Sequence, residues 1–258
     1  MAIIPSLSDY ADRFEHVSMT RDEHGILEVL LHTNGGSLVW GDGPHTELSY
    51  CFSAIASDPE NRVVILTGTG PRFCADLDTS WVGPMTPDKW DKIYWHGKRL
   101  LTSLLSIEVP VIAAVNGPAR VHAELAVLAD IVLASDTADF QDSPHLRYGT
   151  VPSDGVHLVW PLVLGPNRGR YFLLTGQRLS AREAFDLGVV AEILERDRLM
   201  PRAYELAGSL ARHPDVILRY TRVAIVQQLR QLIDANVGYG LALEGLGAYA
   251  SWPTGEQP

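Results

Sequence analysis

Apolar and polar positions divide the chain into short strands and amphipathic helices. Residues 16–32 (HVSMTRDEHGILEVLLH) place two alternating runs on either side of Asp22-Glu-His-Gly25, which predicts a β-hairpin turning at the glycine. A glycine-rich loop follows, from Asn34 to Pro44. His45–Ala56 then carries Leu48, Cys51, Phe52 and Ile55 at helical spacing. Arg62–Thr67 reads as a buried strand, Pro71–Asp78 as a loop and Pro87–Ile107 as a long amphipathic helix. A second buried strand, Val111–Val115, runs into the turn Asn116-Gly117-Pro118 and a short helix. Ile131–Ala134 is a third strand, followed by a loop holding Pro144 and Pro152.

Beyond about residue 155 the strand signals thin. Gly155–Leu164, Pro166–Leu174, Ser180–Leu187, Arg196–Arg212 and Pro214–Ala250 read as helices, with one short strand near Val189–Leu194. Ser180-Ala-Arg-Glu183 is a capping box and Gly188 a C-terminal cap. The tail SWPTGEQP is expected to fray. Strands alternating with helices, then a helical C-terminal third, predict an α/β core with a helical extension.

Composition narrows the function. With 258 residues, the chain can bury a sizeable core as one large domain or as a core plus a helical appendage. The formal net charge of −10 argues against nucleic acid or an anionic membrane as the main partner. Arg168, Arg170, Arg219, Arg222 and Arg230 are spread out and read as solvated or ion-paired. Two cysteines, Cys51 and Cys74, make no disulfide framework and lack metal-ligand spacing, so a reducing cytoplasm is expected. Neither a signal peptide nor a run of about 18 apolar residues is apparent.

The chemistry concentrates between Val111 and Asp154. His122, His145 and Asp154 sit at element junctions, where a rigid scaffold presents reactive groups. Two imidazoles and a carboxylate suit acid–base work near neutral pH. Each also has a plain structural reading: His122 as a helix-opening cap, His145 as a loop residue, Asp154 as turn chemistry in Pro-Ser-Asp-Gly. Three histidines and two carboxylates could ligate zinc, but their spacings match no zinc signature, so no metal is expected. His157 and Glu124 read as structural.

Several phrases in order resemble the crotonase (enoyl-CoA hydratase/isomerase) superfamily. They are Val63-Val-Ile-Leu-Thr-Gly68, Phe73-Cys-Ala-Asp-Leu-Asp78, Pro110-Val-Ile-Ala-Ala-Val-Asn-Gly117, Ala129-Asp-Ile-Val-Leu-Ala134, Gly149-Thr-Val-Pro152, and Thr175-Gly176 with Ala181-x-x-Ala184-x-x-x-Gly188. The resemblance implies a spiral of repeated ββα turns over residues 1–195 and a helical region over 196–258 that packs trimers, often paired into hexamers. It also exposes departures. Relatives that act on CoA thioesters carry a Gly-Gly-Gly run after the Asn-Gly turn. Here that place reads Ala119-Arg-Val-His-Ala-Glu124, one residue shorter by the resemblance, and Asp76 stands where the family has glycine. A carboxylate beside a forming oxyanion is repulsive unless it points away.

The gained residues resemble the β-diketone hydrolase branch, typified by 6-oxocamphor hydrolase. His145 matches the second catalytic Glu of the hydratases, and Asp154 falls where several members place a catalytic Asp. Trp40, His45, His122, His145, Asp154 and Glu244 together match that branch. What this implies is cofactor-independent hydrolysis of a C–C bond in a compact cyclic diketone, with His145, Asp154 and His122 catalytic and Trp40, His45 and Glu244 contacting substrate. Two arrangements stay open: a His145–Asp154 base dyad, or Asp154 as the proton shuttle to carbon. A CoA-dependent hydratase, isomerase or thioesterase is the rival enzyme. A catalytically idle binding protein is the rival of another class.

Overall fold

The computed structural model describes residues 4–81 and 83–252. In chain order the elements are α1 (Leu7–Tyr10), β1 (Val17–Arg21), β2 (Ile26–Leu31), β3 (Val39–Trp40), α2 (Asp42–Ser57), β4 (Val63–Gly68), β5 (Asp76–Leu77), α3 (Pro87–Leu104), β6 (Val111–Val115), α4 (Glu124–Val127), β7 (Ile131–Ser135), β8 (Asp139–Phe140), α5 (Val156–Leu164), α6 (Pro166–Thr175), β9 (Leu179–Ser180), α7 (Ala181–Asp186), β10 (Glu192–Leu194), α8 (Arg196–Leu210) and α9 (Asp215–Ser251).

The main sheet has the order β1-β2-β4-β6-β7-β10. β1 and β2 form the expected hairpin, with Val17 opposite Leu31. Gly25 turns it in the left-handed region (φ 78°), and Asp22 Oδ1 accepts from the backbone N–H groups of His24 and Ile26. From β2 onward every pairing is parallel. These strands are covered on both faces, which is why β4 and β6 are unbroken apolar runs. Val64 and Leu66 face the main core with Leu48, Phe52, Leu100 and Leu104. Val63, Ile65, Ile112 and Leu133 face the opposite way, onto Leu199, Ala203 and Ala207 of α8.

A second, slighter layer runs alongside. β3 pairs in parallel with β5, Cys74 bridges Ala119, Ala119 bridges Phe140, and β8 pairs with β9. Each successive turn of chain thus gives one strand to the main sheet and a shorter segment to the second layer, before its helix or loop. That is the spiral of ββα turns. The Asn-Gly turn holds successive turns together: Gly68 N–H donates to Asn116 Oδ1 (3.1 Å) and Asn116 Nδ2 donates to Gly70 O (2.8 Å). Gly117 passes so close that a Cβ there would lie 2.0 Å from Pro71 O.

Several short elements, β3 and β8 among them, and the tail differ from the sequence expectation. The Pro71–Asp78 stretch contains β5, too short to show a periodicity. The tail does not fray at its start: Ser251 closes α9, and Trp252 is buried, with its indole N–H donating to Tyr148 O. The rest of that tail lies outside the described residues. Ser180 and Glu183 form the expected capping box, and Gly188 follows α7 with φ 77°. Of the scattered arginines, Arg222 is buried, ion-paired to Asp130 at 2.7 Å, and donates to Ile107 O.

Candidate active site

The site lies where the ends of the spiral turns meet α9. Trp40 ends β3, and His45 sits in the first turn of α2. The β6 strand delivers the chain through its turn to His122, just before α4. The loop between β8 and α5 carries Asp142, His145 and Asp154, and α9 lowers Glu244 onto it. Trp40, His45, His122, His145, Asp154 and Glu244 all line one cleft. Trp81, Trp90 and Trp252 add three more indoles to its walls, with Leu77, Ile93 and Leu241 between them. Among the described residues, no lysine or arginine lines it.

Asp154 is the hub. Its Oδ1 lies 3.5 Å from His145 Nε2 and its Oδ2 lies 3.4 Å from His122 Nδ1. Glu244 Oε1 is 3.7 Å from the same His145 Nε2, so Glu244 reaches the site of its own chain. Each histidine has a nearer carboxylate on Nδ1: Asp142 on His145 and Glu124 on His122, both at 2.6 Å. The His122 ring lies against Trp40 with centroids 4.0 Å apart, and His45 is 6.4 Å from His122. Sequence reasoning missed Asp142 as a partner and set Glu124 aside as structural. The i, i+3 spacing in Asp142-Ser-Pro-His145 was the available signal.

His122 has φ 49°, the left-handed region that favours glycine. The backbone here keeps a glycine-like conformation with an imidazole built on it. Such a residue stores on the order of 1–3 kcal/mol, held by the packing around it.

Burial sets the charges. It disfavours the His145 cation, but the Asp142 and Asp154 carboxylates outweigh it and lift the imidazole well above its ordinary range. Burial also opposes ionisation of Asp154, yet the two facing histidines hold its carboxyl well below the usual range. His45 goes the other way: burial and the neighbouring imidazoles push it down to about 3, so it is neutral. Burial, reinforced by Asp154, pushes the Glu244 carboxyl up to about 8.

Glu244 therefore stays protonated in the folded protein over a range where the unfolded chain ionises it. Its contribution to stability is fully present below pH 4.5 and is lost as pH rises toward 8. Glu244→Gln keeps the neutral shape without that cost. It should raise stability near pH 7 by on the order of 3 kcal/mol, and by little at pH 4.5, as read from denaturation midpoints at the two pH values.

Residues 41–238 match the enoyl-CoA hydratase/isomerase family model. The chain belongs to the enoyl-CoA hydratase/isomerase, or crotonase, family. Among its relatives are a carnitinyl-CoA dehydratase of Proteus mirabilis, 35% identical over 72% of this chain and 71% of that protein, and a 1,2-epoxyphenylacetyl-CoA isomerase of Escherichia coli, 31% identical over 83% and 84%. Among solved structures it is similar to a β-diketone hydrolase from the cyanobacterium Anabaena sp., bound to (S)-3-oxocyclohexyl acetic acid. That likeness has a TM-score of 0.92 and 51% identity, and covers 94% of this chain and 97% of the other.

The residues that the sequence singled out as departures have defined places in this crotonase. Asp76 does not face the site; it pairs with Arg72 at 2.6 Å on the partly exposed side of β5. Three backbone N–H groups of the altered segments are already committed: Cys74 donates to Pro118 O, and Arg120 and Val121 donate to Cys74 O. Side chains at the cleft add further donors. Trp40 Nε1 and His45 Nδ1 are buried at the cleft without a partner among the described residues. Two three-residue groups, His122–Glu124–Asp154 and His145–Asp154–Glu244, are compact enough to hold a metal ion. They share Asp154 and would compete for it.

Proposed function

We propose that this crotonase hydrolyses a C–C bond in a cyclic or bicyclic β-diketone to give a keto acid, a retro-Claisen reaction. The observation that carries the reading is the convergence of His122, His145, Asp154 and Glu244 in a small, tryptophan-walled cleft with no lysine or arginine among its described lining residues. The β-diketone hydrolase likeness supports it at 51% identity. The keto acid in that structure has the form expected of a bicyclic β-diketone opened by water. One former carbonyl becomes the side-chain carboxyl and the other stays as the ring ketone.

In this mechanism His145 Nε2 takes a proton from water as its oxygen attacks one carbonyl. Trp40 Nε1–H and the His122 ring donate to the oxygens that gain charge. The tetrahedral intermediate collapses by breaking the bond to the carbon between the two carbonyls. That carbon leaves as an enolate, delocalised into the second carbonyl. The proton held by His145 returns to it, directly or through Asp154, which faces the same ring nitrogen. The substrate is its own electron sink, so the scheme calls on no cofactor or metal.

The sequence relatives act on CoA thioesters by name, which favours a second reading of the same kind. The lack of lysine and arginine among the described lining residues, where nucleotide phosphates would need them, weighs against it. Titration calorimetry with 3-oxocyclohexyl acetic acid and with crotonyl-CoA separates the two. The hydrolase reading expects saturable binding of the keto acid alone. Binding of crotonyl-CoA alone would replace it with the CoA reading.

Trp40→Phe keeps the ring beside His122 and removes only the indole N–H. It should lower kcat for diketone hydrolysis by about 10²–10³-fold with KM little changed, as for loss of one oxyanion donor. Val216, Ile217, Tyr220, Ile225, Tyr239 and Leu246 lie exposed along α9. They support assembly as a homotrimer or a paired hexamer, measurable by analytical ultracentrifugation.

A further inference from the structure

We infer that Asp142 is the positioning carboxylate of His145, fixing the ring so that Nδ1 carries the proton and Nε2 faces the reacting groups. The inference rests on the hydrolase reading for its kinetic consequences but not for the ring geometry itself. It also reassigns a role, because Asp154 is then free to face the reacting atoms rather than to orient the base.

The geometry divides the two carboxylates. Asp142 Oδ1 lies 2.6 Å from His145 Nδ1, a charge-assisted hydrogen-bond distance, and both side chains are buried. Asp154 meets the other nitrogen, at 3.5 Å, which is too long for a direct hydrogen bond. Glu244 approaches that same nitrogen at 3.7 Å. One nitrogen is thus held tightly from behind, while the other is approached loosely by two carboxylic groups on the cleft side. A base that must take and return a proton needs this asymmetry.

The backbone supports it. His145 O accepts from Tyr148 and Thr150 N–H at 3.2 and 2.9 Å, and Ser143 N–H donates to Arg120 O at 3.0 Å. The segment bearing both Asp142 and His145 is therefore pinned at either end, and Pro144 stiffens it between. The i, i+3 spacing places the carboxylate and the ring on one side of this tight turn. The remaining titratable groups facing His145 are His122 before α4, Asp154, His157 on α5 and Glu244 on α9. None of them is within hydrogen-bond distance of His145 Nδ1 among the described contacts.

Two readouts test this. The first is ¹⁵N NMR of the His145 ring in the substrate-free, full-length protein, titrated until the imidazole is neutral. The proton should remain on Nδ1 in the parent protein. A neutral form protonated on Nε2 would overturn the inference, whatever the enzyme turns over. The second is the pH profile of diketone hydrolysis by Asp142→Asn. We expect kcat to fall about 10²–10⁴-fold, KM to change less than about threefold, and the acid limb of kcat/KM to move to lower pH. A loss of melting temperature with the pH limb and the ring tautomer unchanged would make Asp142 merely structural and overturn the inference. If Asp142→Asn does not fold, the tautomer of the parent protein decides. If the protein turns over no diketone yet holds the proton on Nδ1, the ring assignment stands and the substrate reading fails.

Discussion

His145→Ala should lower kcat for diketone hydrolysis by about 10²–10⁴-fold, the usual worth of a positioned general base. Because the ring is buried between Asp142 and Asp154, the variant's melting temperature is measured alongside to separate lost catalysis from lost folding. The pH profile makes the prediction specific. Asp142 and Asp154 overcome the effect of burial and hold the His145 imidazole protonated to well above its ordinary range. The neutral ring is the form that can accept a proton from water. In the parent enzyme kcat/KM should therefore climb with pH along a limb centred above 6.5 and fall away in acid. The alanine variant should keep its residual rate but lose that limb. A variant with the same limb would place the base elsewhere.

Asp154→Asn should be at least as damaging, by about 10³–10⁴-fold in kcat, for a different reason. Asp154 is the carboxylate that both His122 and His145 face, at 3.4 and 3.5 Å. Removing its charge takes away the cation stabilisation that forms as His145 gains a proton, and it breaks the route for that proton to the enolate carbon. Since Asp154 helps raise both imidazoles, the acid limb should also shift to lower pH. The stability effect has a definite sign. A carboxyl held below its unfolded pKa of about 3.8 contributes stability that is present above that value and lost as pH falls. The asparagine variant should accordingly be less stable than the parent near neutral pH, with the difference narrowing in acid. Melting temperatures measured from pH 7 down to pH 3 would check this.

The strands and helices of the core were legible because they carry local signals, whereas their spiral arrangement came from the family resemblance. Buried parallel strands show as apolar runs at Arg62–Thr67 and Val111–Val115, and the hairpin shows as alternation around Gly25. The second layer was not legible, since β5 and its neighbours are two residues long or single bridges, and only the spiral brings them together. The six residues singled out from sequence meet in one cleft because the junctions bearing five of them lie at one end of the spiral and α9 brings Glu244 onto them. Their partners were harder to see. Asp142 and Glu124 look like ordinary loop and helix residues until the fold buries them, and only burial turns a nearby carboxylate into a strong constraint on a ring. Trp252 was hidden by a tail that reads as polar, although its ring closes the cleft from the end of α9. The left-handed backbone at His122 was also invisible, because nothing in Ala119-Arg-Val-His-Ala-Glu124 announces a glycine-like conformation.

The central claim is that this protein breaks a carbon–carbon bond with water. Its most direct test is incubation of the purified protein with a symmetric bicyclic β-diketone in deuterium oxide, with the product identified by mass spectrometry and NMR. The account predicts a keto acid bearing a single deuterium on the carbon beside the surviving ketone, formed by the parent protein and lost in His145→Ala. Unchanged diketone, with crotonyl-CoA hydrated under the same conditions, would contradict it.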